Sequence, residues 1–235
     1  MGISHYLAMT GAEIAAAESL PENIAYMACH FSPYGTGLTG PVQALPPKSM
    51  LILNDRIPFC GHEIQHIGKQ LAQWAADLHC SCLLLDFQRE STPGNLAALL
   101  VDSMPCPVGV TAEFAKSLEC PVFLSPVPPD IALVDYIRPW KGRELWLDAA
   151  PEAVEITVDT LSSHRRQAAL QDAVLFPFHD SSLCCRYRVE LSTDRAVFTL
   201  QRSPDELRQL LAQAETLGIT AAVSLYQEMK KRPVK

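Results

Sequence analysis

The chain contains no apolar run approaching the roughly 20 residues that cross a bilayer. Its N-terminus has no basic region followed by an apolar stretch, so neither a membrane segment nor a signal peptide is expected. An excess of positive charge is also missing. Lys and Arg number 19 against 26 Asp and Glu, a net charge of -7, which argues against nucleic acid as a partner. The pair Arg165–Arg166 is too small to reverse that balance. Zinc-ribbon spacing is absent among the eight cysteines, since Cys80-x-Cys82 and Cys184–Cys185 do not have it. Without an export signal these cysteines are expected to be reduced thiols in a cytoplasmic protein. Cys80, Cys82, Cys106 and Cys120 lie in or just before apolar strands, where Cys packs as a small hydrophobe. No Gly-rich loop follows the last strands, which disfavours a phosphate-binding barrel. No motif asks for a cofactor.

What is present is a set of short apolar strands that end in polar residues. The stretch from Met50 to Gln88 shows the pattern best: MLILNDR, a helix, then CSCLLLDFQ. The helix carries Ile64, Ile67, Leu71, Trp74, Ala75 and Leu78 at the spacing of one buried face. Ahead of it, residues 1–20 read as a helical lead-in, with Thr10-Gly-Ala-Glu13 in the form of a capping box and Pro21 as the stop. The first strand is NIAYMACH, ending at His30. A long Gly/Pro-rich loop follows, and its Tyr34 would suit a lid or one wall of a pocket.

After CLLLDF the sequence gives PVGVT, PVFLS, ELWLD, VEITV and ITAAVSLY as further strands. Between the last two, residues 186–201 read as a β-hairpin, RYRVEL-STD-RAVFTLQ, because both arms alternate and a polar turn joins them. Ser203-Pro204-Asp205-Glu206 opens a capped helix that Gly218 closes. Eight strands that can run parallel predict a compact (β/α)8 TIM-like barrel over residues 21–235, with short or missing outer helices and the hairpin as an insertion. The competing architecture is an open doubly wound sheet with an added hairpin.

Ligands of such folds bind at the C-terminal ends of the strands. Side-chain alternation sorts the residues there. Cys82, Leu84, Asp86 and Gln88 share one side. So do Glu144, Trp146 and Asp148, and so do Ala222, Ser224, Tyr226 and Glu228. Tyr26, Ala28 and His30 form the corresponding group of the first strand. The expected mouth therefore gathers His30, Asp55, Asp86, Gln88, Asp148, Tyr226 and Glu228, with Trp146 on the same face of its strand. Acids and aromatics in a concave site suit a small polar ligand, above all a sugar. For a hydrolase the carboxylates would be Asp86, Asp148 and Glu228, split into acid and base by their environments. Gln88 and Tyr226 would orient the substrate, and His30 would shuttle a proton.

At these residues the chain resembles the chitinase-like glycoside hydrolases, whose catalytic domain is a (β/α)8 barrel. That family carries Asp-x-x-Asp-x-Asp-x-Glu at the end of its fourth strand. Laid on SCLLLDFQ, the motif falls on Ser81, Leu84, Asp86 and Gln88. Asp86 matches, while Gln88 stands at the general-acid position, where an amide cannot supply the proton that the leaving oxygen needs. The family's sixth-strand Met-x-Tyr-Asp falls on Leu145, Trp146, Leu147 and Asp148 and keeps the Asp. Its last strand ends in an aromatic, here Tyr226. The strand bearing Asp86 is third in this reading and fourth in the family. The resemblance implies a sugar-binding groove whose substrate-assisted mechanism has been lost or replaced.

Two other classes compete. Residues 62–66 read His-Glu-Ile-Gln-His, the zincin form in which His62 and His66 hold Zn²⁺ and Glu63 serves as base. Against it, the motif lies in the first turn of its helix, no third His follows at the metzincin spacing, and Glu90, the one plausible carboxylate near the gluzincin distance, sits in a loop. The other class is a binding protein without catalysis, consistent with Gln88 at the acid position.

Overall fold

The computed structural model describes residues 2–35, 37–40, 45–60 and 63–229. A parallel barrel forms its body. The chain enters through β1 (Ser4–Met9), α1 (Gly11–Ala16) and β2 (Ile24–Phe31), and the two-residue β3 (Leu38–Thr39) lies antiparallel to the end of β2. Then come β4 (Met50–Asn54), α2 (Ile64–Asp77), β5 (Cys82–Asp86), α3 (Leu96–Ser103), β6 (Val108–Thr111), α4 (Ala112–Ala115), β7 (Val122–Leu124), α5 (Leu133–Ile137) and β8 (Leu145–Asp148). A second sheet follows: β9 (Glu152–Asp159), β10 (Ser163–Gln167), β11 (Phe178–Asp180), β12 (Cys185–Leu191) and β13 (Arg195–Arg202). Finally α6 (Pro204–Thr216) returns the chain to β14 (Ala221–Leu225) and α7 (Tyr226–Met229).

The barrel order is β1-β14-β8-β7-β6-β5-β4-β2, and β1 pairs in parallel with β2 to close it. The TIM-like barrel with short helices is therefore the fold, and the open sheet is not. Its strand list differs from the sequence reading in two places. The supposed helical lead-in carries β1, the closing strand, and only Gly11–Ala16 is helical there. The capping box is as expected: the Thr10 amide donates to Glu13 Oε2 at 2.8 Å and the Glu13 amide to Thr10 Oγ1 at 3.3 Å. Conversely VEITV is not a barrel strand. As β9 it pairs antiparallel with β13 and β10, so the insertion spans residues 152–202 and the hairpin β12–β13 is only its centre.

Two apolar layers hold the barrel. Its interior is filled by Tyr6, Ala8, Met50, Leu84, Phe123 and Trp146 among others, and a larger outer layer packs under the helices. Gly109 is where the interior is tightest. A Cβ there would lie 2.3 Å from the Trp146 ring, so only glycine lets the indole cross the barrel at this level. Beside the barrel, the fully buried Arg202 fastens the second sheet. It donates to the carbonyls of Val127, Leu183 and Cys184. Arg165–Asp130 and Arg186–Glu206 add ion pairs on either side.

Candidate functional site

The mouth is built by strand alternation. Leu84 and Trp146 point into the barrel, so Asp86 and Asp148, each two residues further on, point inward at the C-terminal rim. Asn54 pairs with Asp86 across β4 and β5 and shares its side. A register shift between Tyr26 and Cys29 in β2 changes the parity of that strand. Tyr26 consequently packs in the outer layer, not with His30 as simple alternation predicts, while His30 comes opposite Asn54 on the inward side. In β14 the inward residues are Ala221 and Val223, not Ala222 and Ser224. The strand ends at Leu225, and Tyr226 and Glu228 reach the rim from the one-turn helix α7.

Burial and mutual repulsion set the electrostatics. Burial pushes the Asp148 carboxyl up to about 7, and the charges of Asp86, Glu228 and Glu152 push it the same way. Burial also raises Asp86, with Asp55 adding to the rise and a hydrogen bond from Gln88 opposing it. Glu228 is raised by burial, and its Oε2 is enclosed without a hydrogen-bond partner among the described residues. A carboxyl raised to about 7, as Asp148 is, exchanges a proton readily near neutral pH, as a general acid or base must.

Gln88 and Asp55 form a supporting layer. Gln88 Nε2 donates to Asp86 Oδ1 at 2.9 Å. Asp55 is only 3% exposed. Its carboxylate accepts from the backbone amides of Gln88 and Arg89 at 3.0 and 2.8 Å, and from the Thr92 hydroxyl at 2.7 Å. Asp55 thus pins the loop that follows β5 and does not present free oxygens to a ligand, contrary to its expected place among the ligand-binding residues.

Trp146 is also displaced from the expected site. It is 3% exposed, it fills the barrel interior against Gly109, and its Nε1 donates to Glu144 Oε1 at 3.2 Å, on the residue preceding the strand. Tyr34 is 86% exposed in the loop between β2 and β3. Tyr226 is half-buried and, with Glu228, Thr10, Glu13 and Met27, lines a cavity of about 180 Å³ beside the rim. Glu13, Asn54 and Glu152 were not expected at the mouth. Asn54 was accessible to alternation, whereas Glu13 and Glu152 arrive through β1 closing the barrel and β9 leaving it.

The zincin reading loses its helical geometry. His62 lies outside the described residues. Helix α2 begins at Ile64 with Glu63 as its N-cap in an extended conformation, so the motif does not fall within one helix. His66 is exposed on α2, and its ring lies beside Gly37, whose Cβ would come within 3.3 Å of it. Among the described residues no group of three or more His, Cys, Asp or Glu is arranged to hold a metal ion.

No protein-family model matches the chain, and no curated protein does. Solved structures do. The spore cortex-lytic enzyme SleL of Bacillus cereus superposes with a TM-score of 0.55 at 10% identity, over 95% of this chain and 70% of that one. The chitinase-like agglutinin RobpsCRA of Robinia pseudoacacia gives 0.58 at 12% identity, over 97% and 96% of the two chains. A class V chitinase of Nicotiana tobaccum, in complex with NAG4, gives 0.56 at 10% identity, over 98% and 95%.

In fold, the chain resembles the chitinase-like glycoside hydrolases. With β1 counted, β5 becomes the fourth barrel strand. Asp86 then ends the strand on which the chitinase-like enzymes carry their acidic motif, and the offset of one strand in the sequence reading disappears. The other correspondence does not survive the recount. LWLD is the seventh strand, not the sixth, so Asp148 reaches the mouth from a different place than the Asp of that family's Met-x-Tyr-Asp.

Proposed function

We propose that the barrel mouth is a saccharide-binding site, with Asp86, Asp148 and Glu228 as its hydrogen-bonding carboxyl groups and His30, Tyr34, Gln88 and Tyr226 around the rim. Asp55 and Trp146 support it from below. The observation that carries the reading is the coupled set of inward carboxyl groups at the C-terminal rim, with Asp148 pushed up to about 7. A carboxyl that is half protonated both donates and accepts hydrogen bonds, as ligand hydroxyls do. The complex of the tobacco chitinase with NAG4 supports a sugar oligomer as the first ligand to try. Cys29, Cys82, Cys120, Cys184 and Cys185 are buried, where Cys packs as a small hydrophobe, which supports a reducing compartment such as the cytoplasm.

The test is thermal shift and calorimetry against N-acetylglucosamine oligomers and a panel of other oligosaccharides. A ligand at a hundred times its Kd adds about 2.7 kcal/mol, several degrees for a chain of this size. One or more sugars should raise the Tm of the wild type, and Asp86→Asn should remove the rise while leaving the unliganded Tm within a few degrees. A panel without a shift overturns the reading.

Hydrolysis is a second reading, favoured by the same elevated Asp148. The Gln88 amide cannot protonate a leaving oxygen, whereas Asp148, raised to about 7, is part protonated at neutral pH and can supply a proton. Release of reducing ends from an oligosaccharide that binds, lost in Asp148→Asn with binding retained, would assign this role. Binding without release leaves the protein a lectin-like barrel.

A further inference from the structure

The two edges of the second sheet differ. At one of them β11 is three residues long, and its His179 is hydrogen-bonded to Gln209 of α6 at 3.1 Å. At the other, β10 carries Ser163–Gln167, all five residues exposed, and no strand lies beyond it among the described residues. The ladder fixes which backbone groups of β10 face outward. In an antiparallel pair, residues bonded to the partner strand alternate with residues whose N–H and C=O point the other way. The Asp159 amide donates to the Ser162 carbonyl at 3.0 Å, and the Ala168 amide to the Ala153 carbonyl at 2.9 Å. With the register between these two bonds, His164 and Arg166 are the residues bonded to β9. The N–H and C=O of Ser163, Arg165 and Gln167 therefore point away from the sheet, where they meet no partner among the described residues.

An exposed edge of this kind is a template for a further strand. Its side chains decide which strand fits. His164, Arg165 and Arg166 are consecutive, and no acid occurs between Asp159 and Asp172. Arg165 pairs with Asp130 and Arg166 with Glu155, each through Nε and Nη2, which leaves Nη1 of each available. While paired, the two side chains remain 49% and 75% exposed, so an incoming group can reach them. A second copy of this chain fits poorly. Two-fold antiparallel pairing about Arg165 sets that residue against its own copy and His164 against the copy of Arg166, and like charges directly opposite are destabilising. An acidic strand meets the same cations favourably. On a chain of net charge -7, β10 is a cationic strip that an acidic segment can approach.

We propose that β10 is a docking edge for an acidic, extended segment of another protein, which joins the second sheet as a further strand. Backbone hydrogen bonds to Ser163, Arg165 and Gln167 set its register, and consecutive acids on the incoming strand face His164, Arg165 and Arg166. The edge lies on the inserted sheet, so the proposal stands whether or not the barrel mouth binds a saccharide.

The test is fluorescence anisotropy of the full chain with labelled, end-blocked peptides. These are VTEEETV, VTKKKTV, and VTEEETV with its amides N-methylated, which keeps the charge and removes the N–H donors. The protein is used as wild type and as Ser163→Pro/Gln167→Pro. Proline is tolerated at edge positions whose N–H faces solvent, so this variant keeps the ladder with β9, which a thermal melt verifies, and loses outward donors. The wild type is expected to bind VTEEETV and not VTKKKTV. The proline variant and the N-methylated peptide should each lose at least about tenfold in affinity. Absence of VTEEETV binding up to about 1 mM overturns the proposal and makes the cations of β10 a guard against edge pairing. Equal binding of the N-methylated peptide reduces the contact to charge and overturns strand addition. Equal binding by the proline variant places the peptide elsewhere, and VTKKKTV binding as tightly as VTEEETV removes the preference for acids; either result overturns the proposal. A wild-type dimer that the prolines turn into a monomer makes β10 a contact between copies of this chain and overturns the acidic partner. Should the proline variant fail to melt cooperatively, the comparison of VTEEETV with its N-methylated form on the wild type decides.

Discussion

Asp148 illustrates how position alone changes a residue's chemistry. Its carboxyl is raised because it is buried near three other carboxyl groups. The folded-state pKa lies above that of the unfolded chain, so the folded protein holds this proton more tightly. Its favourable contribution is present below about pH 4 and is lost as pH rises to about 7. Replacing the group by a neutral amide removes that loss. Asp148→Asn should therefore stabilise the protein at pH 8, by up to about 4 kcal/mol on the scale of 1.36 kcal/mol per pKa unit, and change little at pH 4. Urea unfolding at the two pH values checks this, and equal effects at both would contradict it. Asp55 shows the reverse case, a carboxylate whose oxygens are all engaged. Asp55→Ala leaves two backbone amides and the Thr92 hydroxyl without an acceptor. A loss of about 3 kcal/mol is expected in the same assay, with a smaller loss for Asp55→Asn.

The element that most changes the reading is β1. Six residues, SHYLAM, pair on one side with β14 and on the other with β2. Removing residues 2–9 should open the barrel and abolish the cooperative melt followed by far-UV circular dichroism. A truncated chain that still melts cooperatively would make β1 an accessory strand. The strand was hard to read because it is short and because the capping box at Thr10–Glu13 is a strong helix signal immediately after it. The interior has an equally local control point. Gly109→Ala drives a Cβ into the Trp146 indole and should cost about 3 kcal/mol, the upper range for overpacking. Parity read from sequence held for β5 and β8, which are regular. It failed for β2, where the register shifts after Tyr26, and for β14, where the last residues coil into α7.

At the scale of the whole molecule, Arg202 is buried between barrel and second sheet, and on that ground the two are expected to unfold as one unit. The Arg202 guanidinium holds carbonyls of the loop beyond β7 and of the turn before β12. All three tryptophans, Trp74, Trp140 and Trp146, belong to the barrel portion of the chain. Their fluorescence therefore reports the barrel, while far-UV circular dichroism reports both sheets. The two unfolding curves in urea should coincide. Separate midpoints would mean that the second sheet melts on its own.

Composition and alternation by themselves determined an acidic chain, its short apolar strands, the capped helices α1 and α6, and the inward aspect of Asp86 and Asp148. These follow from local rules that need only neighbours in sequence: period-two alternation, cap chemistry and charge. The tertiary structure decided which strands close the barrel, that VEITV leaves it, that Trp146 plugs the interior, and that Asp55 holds a loop. It alone brought Glu152 to Asp148. Each of these depends on contacts between distant segments, where a register shift or one added strand reassigns every residue beyond it.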